Sequence, residues 1–199
     1  EQLRDLSLSA AGLLDRSIGG ASVFPVQPGD YWSEKGQEKD SGKWLTSKGG
    51  DLYRRGLYTY WKRMALYPSF WILDAPTRQV CTVSRSITNT PIQTLVTLND
   101  PVFFEAARAF ALRILSAVPG GRKKRVEEAF LISLSRLPSA VEATAFSSML
   151  GDLEKRYKGD PQAAASVNPG TGEAPAGAEL AAWTVLASTL LNLDEAITR

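Results

Sequence analysis

Arg55, Asp74, Arg78, Arg85 and Asn89 are the residues of this chain whose types suit work on a polar or anionic molecule. A guanidinium grips a carboxylate, phosphate or sulfate through two parallel hydrogen bonds, and a carboxylate beside it can carry a proton. Gln93, Asn99 and Asp100 extend the same cluster along the chain. Asp74, Asp100 and Glu105 are candidate members of a carboxylate pair of the kind that cleaves glycosidic bonds. A plainer reading spends the same residues on helix caps and on ion pairs that pin irregular loops, because buried polar groups must be paired. Both readings stand at this level.

Composition removes whole classes of chemistry. The 199 residues contain no histidine and a single cysteine. No Ser-His-Asp or Cys-His pair can form within the chain. Nor can histidine-ligated zinc or haem, a Cys-x-x-Cys-His haem attachment, a cysteine-rich metal site or an internal disulfide. We therefore expect no metal and no cofactor in this chain. Cys81 reads as a small buried hydrophobe, with a reactive thiol or a bridge to another chain as alternatives. A net charge of +2 gives no strong field. The basic residues 54, 55, 62, 63 and 122–125 come with no recognition motif, so nucleic acid is not expected as a partner. Seven of the eighteen aromatics lie between Tyr53 and Trp71. They suit either core packing or a stacking platform for sugars.

The elements that must position these residues follow from helix grammar. Thr90-Pro91-Ile92-Gln93 reads as a capping box, with Pro91 at the first helical position. Asp100-Pro101 repeats the start ten residues later, which limits the first helix to about two turns. Phe103, Ala106, Ala107, Phe110, Ala111, Ile114 and Leu115 make the apolar stripe of the second helix, which ends before Pro119-Gly120-Gly121. Ser139 and Glu142 form another capping box, opening a helix to about Tyr157.

Further helices are expected over residues 1–15, 51–67, around 126–137 and over 178–196. In the first, Arg4 and Asp5 lie outside the stripe of Leu3, Leu6, Ala10, Leu13 and Leu14, and Gly19-Gly20 breaks the pattern. The last is apolar nearly all round and so central and buried. Gln79–Ser84 is either a strand or an extended loop. Residues 30–50 read as a long loop and 159–177 as a flexible connection. The expected fold is a single all-α domain over 1–199, of about six helices with long loops and little or no β. Roughly 70% of the unfolded surface is buried at this size. No apolar run reaches the roughly 18–20 residues of a membrane span. The chain opens in mid-pattern and reads as a domain excised from a larger protein.

Several motifs, taken together, carry a family resemblance. They are Leu13-Leu14 through Gly19-Gly20-Ala21-Ser22-Val23-Phe24-Pro25, then Arg54-Arg55-Gly56-Leu57-Tyr58-Thr59-Tyr60-Trp61-Lys62-Arg63. Leu73-Asp74-Ala75-Pro76-Thr77-Arg78 and Val80-Cys81-Thr82-Val83-Ser84-Arg85 follow. Thr88-Asn89-Thr90-Pro91-Ile92-Gln93, Leu98-Asn99-Asp100-Pro101 and Leu190-Leu191-Asn192-Leu193-Asp194-Glu195 complete the set. They resemble the planctomycete-specific domain of unknown function in the C-terminal part of planctomycete cytochrome-c-like proteins. The resemblance implies a large extracytoplasmic (periplasmic or cell-surface) parent, whose upstream domains include a haem-bearing one and are this chain's partners. It assigns no catalytic residue and no established activity. The function expected is a non-catalytic structural or interaction module of such a cytochrome-associated parent. The alternative is a carbohydrate-acting enzyme domain, or a sugar-binding module with polysaccharide as partner.

Overall fold

The computed structural model describes residues 1–27, 44–62, 65–86, 88–168 and 177–197. Most of the expected loop over 30–50, including Trp32, and residues 169–176 of the expected connection lie outside the described residues. The helices are α1 (Gln2–Ala11), α2 (Pro68–Ile72), α3 (Pro91–Asn99), α4 (Pro101–Ala117), α5 (Arg122–Leu134), α6 (Ala140–Gly159), α7 (Pro161–Val167), α8 (Gly177–Leu191) and α9 (Asp194–Ile197). Two 3-10 turns, Gly49–Tyr53 and Gly56–Tyr58, join them. Among the described residues, pairing of extended backbone is confined to isolated parallel bridges between Asp15 and Arg54 and between Val23 and Thr59. The fold is all-α. Among the described residues, three of the helices, α2, α7 and α9, are only one or two turns long.

Contacts divide the chain into two compact units. One holds Glu1–Ser9 and Leu13–Phe104; the other holds Ala10–Gly12 and Glu105–Arg199. The second unit is the simpler. Its centre is α8, whose Leu180, Ala181, Ala182, Trp183, Leu186, Ala187 and Leu190 are all buried. Because α8 is apolar round its circumference, it can pack on α5, α6 and α7 at once. Phe130 of α5 meets Phe146 of α6 edge-on at 5.1 Å. The expectation of an irregular connection beginning at 159 is corrected by α7. Asp160 accepts a hydrogen bond from the Ala163 N–H at 2.9 Å, with Pro161 at the first helical position, the same Asp-Pro start that opens α4.

In the first unit the described residues of the expected helix over 51–67 form no α-helix. Arg54 is extended (φ −61°, ψ 156°) between the two 3-10 turns. Tertiary hydrogen bonds claim the backbone instead: Asp15 N–H to Tyr53 O at 3.0 Å, Val23 N–H to Tyr58 O and Tyr60 N–H to Val23 O, both at 2.8 Å. Gly56 lies so close to the start of the chain that a Cβ there would stand 3.0 Å from the Glu1 Cβ. The aromatics of this stretch form a packed chain rather than a helix face. Tyr60 stacks on Phe24 at 4.8 Å, Phe24 meets Trp44 at 5.1 Å, Trp44 stacks on Tyr67 at 5.8 Å, and Tyr67 meets Phe70 at 5.1 Å. Gln79–Ser84 forms no strand and is exposed.

The outer stripe expected for α1 is also corrected. Arg4 is only 2% exposed and Ser7 is buried, whereas Leu6 is about half exposed. The helix ends at Gly12, whose φ of 76° suits a residue without Cβ, well before Gly19-Gly20.

The position of α8 generates a stability prediction. Leu186→Ala should cost about 2–5 kcal/mol in denaturant titrations, as for other fully buried leucines, and a loss below about 1 kcal/mol would show that α8 is not the centre of its unit.

Candidate functional site

The polar cluster resolves into separate arrangements. Asp74 follows α2 in the left-handed region, at φ 60°. The Ala75 N–H donates to Phe70 O at 2.9 Å, the closure of a Schellman helix end, at which aspartate is better tolerated than most side chains. Its carboxylate then accepts from the Thr88 N–H at 2.8 Å, the Thr88 hydroxyl at 2.7 Å and Gln93 Nε2 at 3.0 Å. The Thr88 hydroxyl chiefly, with its N–H and Gln93, holds the Asp74 pKa below the ordinary aspartate value. A general acid needs the opposite shift.

Arg78 and Arg85 converge elsewhere, on Glu1, at 3.7 Å and 2.7 Å. Arg78 also lies over the Trp61 ring at 4.1 Å, a cation–π contact. Arg55 points to the Arg16 carbonyl at 3.3 Å. No ion pair or hydrogen bond among the described residues joins it to Asp74, Arg78 or Arg85. Asn89 is exposed beside the Thr90 cap, and Asn99 Nδ2 donates to Leu95 O at 2.8 Å within its own helix. Cys81 is exposed, which corrects the buried reading.

The capping residues are engaged. Gln93 N–H donates to Thr90 Oγ1 at 3.4 Å and Thr90 N–H to Gln93 Oε1 at 2.9 Å. Gln93 Nε2 reaches, besides Asp74, the Ile72 carbonyl at 3.0 Å and Thr88 Oγ1 at 2.9 Å. It thus binds the start of α3 to the end of α2. At Ser139 the box is closed by Glu142 N–H to Ser139 Oγ at 3.3 Å and Ser139 N–H to Glu142 Oε2 at 2.8 Å. Glu142 also takes Arg136 in a two-pronged pair at 2.7 and 2.9 Å, and Arg136 holds Glu195 at 2.7 Å on its other side. Of the basic run, Arg122 pairs with Glu154 at 2.8 Å and Arg125 with Glu179 at 3.0 Å.

The most buried polar centre was invisible in the sequence. Arg4 Nη1 donates to Arg54 O at 2.7 Å and Nη2 to Leu52 O at 2.6 Å. Burial lowers the Arg4 pKa, opposed by Tyr67, Asp5 and Asp100. Asp100 caps α4 by accepting from the Val102 N–H at 2.9 Å, and its other oxygen accepts from the Ser69 hydroxyl. Tyr67 donates its hydroxyl to Val26 O at 2.5 Å, and burial raises its pKa. Arg54 is buried too, over the Tyr58 ring at 4.0 Å, with its guanidinium on the Gly19 and Ala21 carbonyls. Arg4, Tyr67, Ser69 and Asp100 line one depression, which leaves no room for a water molecule. These groups tie together segments distant in sequence. Among the described residues no set of three His, Cys, Asp or Glu is placed to bind a metal ion, and no helix is long and apolar enough to cross a membrane.

Two outcomes follow. Asp100→Ala removes a cap and strands a buried serine hydroxyl, so it should cost roughly 2–4 kcal/mol in chemical denaturation; an unchanged midpoint would contradict the assignment. Arg136 first, then Ser139, holds the Glu142 pKa down to about 2, from an ordinary 4.5. The unfolded chain thus binds this proton more readily, so the stabilisation is complete above pH 4.5 and fades as pH falls toward 2. Carboxyl NMR of Glu142 should show this low midpoint, and Arg136→Met should move it back toward 4.5.

No curated protein and no solved structure matches this chain. A family model described as PSD1, protein of unknown function (DUF1553), matches residues 1–150 of the 199. The match ends inside α6, before α7, α8 and α9. It takes in the buried Arg4 centre, the Asp74 bracket and the two arginines on Glu1, and on this match the chain belongs to the DUF1553 family of proteins of unknown function.

Proposed function

We propose that this chain is a non-catalytic interaction module in the C-terminal part of a larger, extracytoplasmic, cytochrome-associated planctomycete protein, where it packs on upstream domains of the same parent. The observation that carries the non-catalytic part is the use made of the carboxylates. Asp74 is ringed by three donors and held in its ionised form, and Asp100 is spent on a cap and a serine. Neither is poised to exchange a proton with a substrate. The carbohydrate reading gains no support from this arrangement, since its arginines do not converge on either carboxylate.

Membership of a family of unknown function is compatible with the module reading. The planctomycete origin, the cytochrome association and the extracytoplasmic location rest on the motif resemblance. A haem in the parent would belong to another domain, because a chain without histidine and with one cysteine cannot supply the attachment residues.

The test compares hydrogen exchange in the isolated chain and in the full parent protein. Surface amides of the chain should exchange more slowly in the parent, and cell fractionation should place the parent outside the cytoplasm. Equal exchange at every surface amide, or turnover by the isolated chain that Asp74→Asn abolishes, would overturn the proposal.

A further inference from the structure

The segment Arg78–Arg85 is closed at its base and open at its tip. Both terminal arginines reach the one Glu1 carboxylate, Arg85 at 2.7 Å and Arg78 at 3.7 Å. Two guanidinium charges against one carboxylate leave a net positive charge there, and the two side chains remain 51% and 54% exposed. Between them every residue from Gln79 to Ser84 is exposed. Val80 stands at 75% and Val83 at 107%, as open as in an isolated peptide.

The flanks of this segment are fixed. Asp74 on one side and Thr88 on the other are bound to each other and to Gln93 in the first turn of α3. The segment therefore leaves and returns beside α3, and α3 is inverted. Its polar Gln93 and Thr97 are buried, while Ile92, Leu95 and Leu98 face out at 61%, 59% and 40%. An apolar surface of this kind, with charges at its margin, marks an interaction site.

We infer that the apolar tip Val80–Val83 and the outer face of α3 dock a protein segment that carries apolar side chains with carboxylates next to them. The occupant is set by charge. The guanidinium charge of Arg78 and Arg85 in excess of the Glu1 carboxylate attracts carboxylates, and burying it against an uncharged or basic partner would leave that surplus charge without a counter-ion. The assignment rests on the module reading and names its surface; the partner lies outside the described residues of this chain.

The experiment places the photo-crosslinker p-benzoylphenylalanine at Val83, at Ile92 and at Val141 (in the other unit) of the full natural protein, and maps the products by mass spectrometry. The Val83 and Ile92 products should converge on one segment in which apolar residues adjoin Asp or Glu. The R78E/R85E pair should lower that yield roughly tenfold, and lysine in place of the partner's carboxylates should restore it. Because the charge reversal also touches the Glu1 pair, V80S/V83S serves as a second variant, with the same loss expected and circular dichroism confirming the fold of both. Products from Val141 alone would overturn the docking surface and leave the module reading standing. Products from none of the three would overturn both. Adducts on lipid or on a second copy of the chain, or yields unmoved by either variant, would overturn the acidic-segment assignment.

Discussion

The first unit depends on one buried cation. Arg4 is 2% exposed, and its two Nη groups hold the carbonyls of Leu52 and Arg54. A guanidinium taken out of water must find acceptors, and carbonyls left over from irregular backbone are the acceptors at hand. This explains why a stretch with helical apolar spacing stays non-helical. Residues 52–60 give their backbone to Arg4 and to the segment around Asp15 and Val23. Arg54 continues the pattern by clamping Gly19 and Ala21, where a side chain on Gly20 would meet its guanidinium at 3.2 Å.

The same constraint turns two helices over. α1 buries Arg4 and Ser7 and exposes Leu6; α3 buries Gln93 and Thr97 and exposes Ile92 and Leu95. A hydrophobic stripe predicts the buried face only when burial is driven mainly by apolar area. Here long-range hydrogen bonds of Arg4 to Arg54 and of Gln93 to Asp74 oppose it, while Ser7 and Thr97 satisfy their hydroxyls on carbonyls of their own helices. The second unit has no such competition. Its core is α8 with the apolar faces of α5 and α6, and hydrophobic periodicity reads it well.

Legibility of the candidate site follows the same division. Capping boxes close over three residues, so Thr90 with Gln93 and Ser139 with Glu142 can be read from sequence alone. The Asp-Pro start at Asp160 is equally local, but the Ala/Gly/Pro-rich composition around it points to a loop. The grouping of Arg55 with Asp74, Arg78 and Arg85 was not legible, because nearness along the chain says little where the backbone is irregular. Asp74 is spent on the end of α2 and on Thr88, and the two arginines on Glu1.

The sequence by itself determined the all-α class, the paired starts of α3 and α4, the buried character of α8, and the absence of any histidine- or multi-cysteine-based chemistry. These are matters of composition or of contacts within a few residues. Only the tertiary structure decided which polar groups are buried, which helix faces look outward, and that residues 51–62 form no α-helix. The physical reason is the cost of burying a guanidinium or a carboxylate without partners. That cost is met by groups far apart in sequence, and in the first unit it outweighs local helical preference.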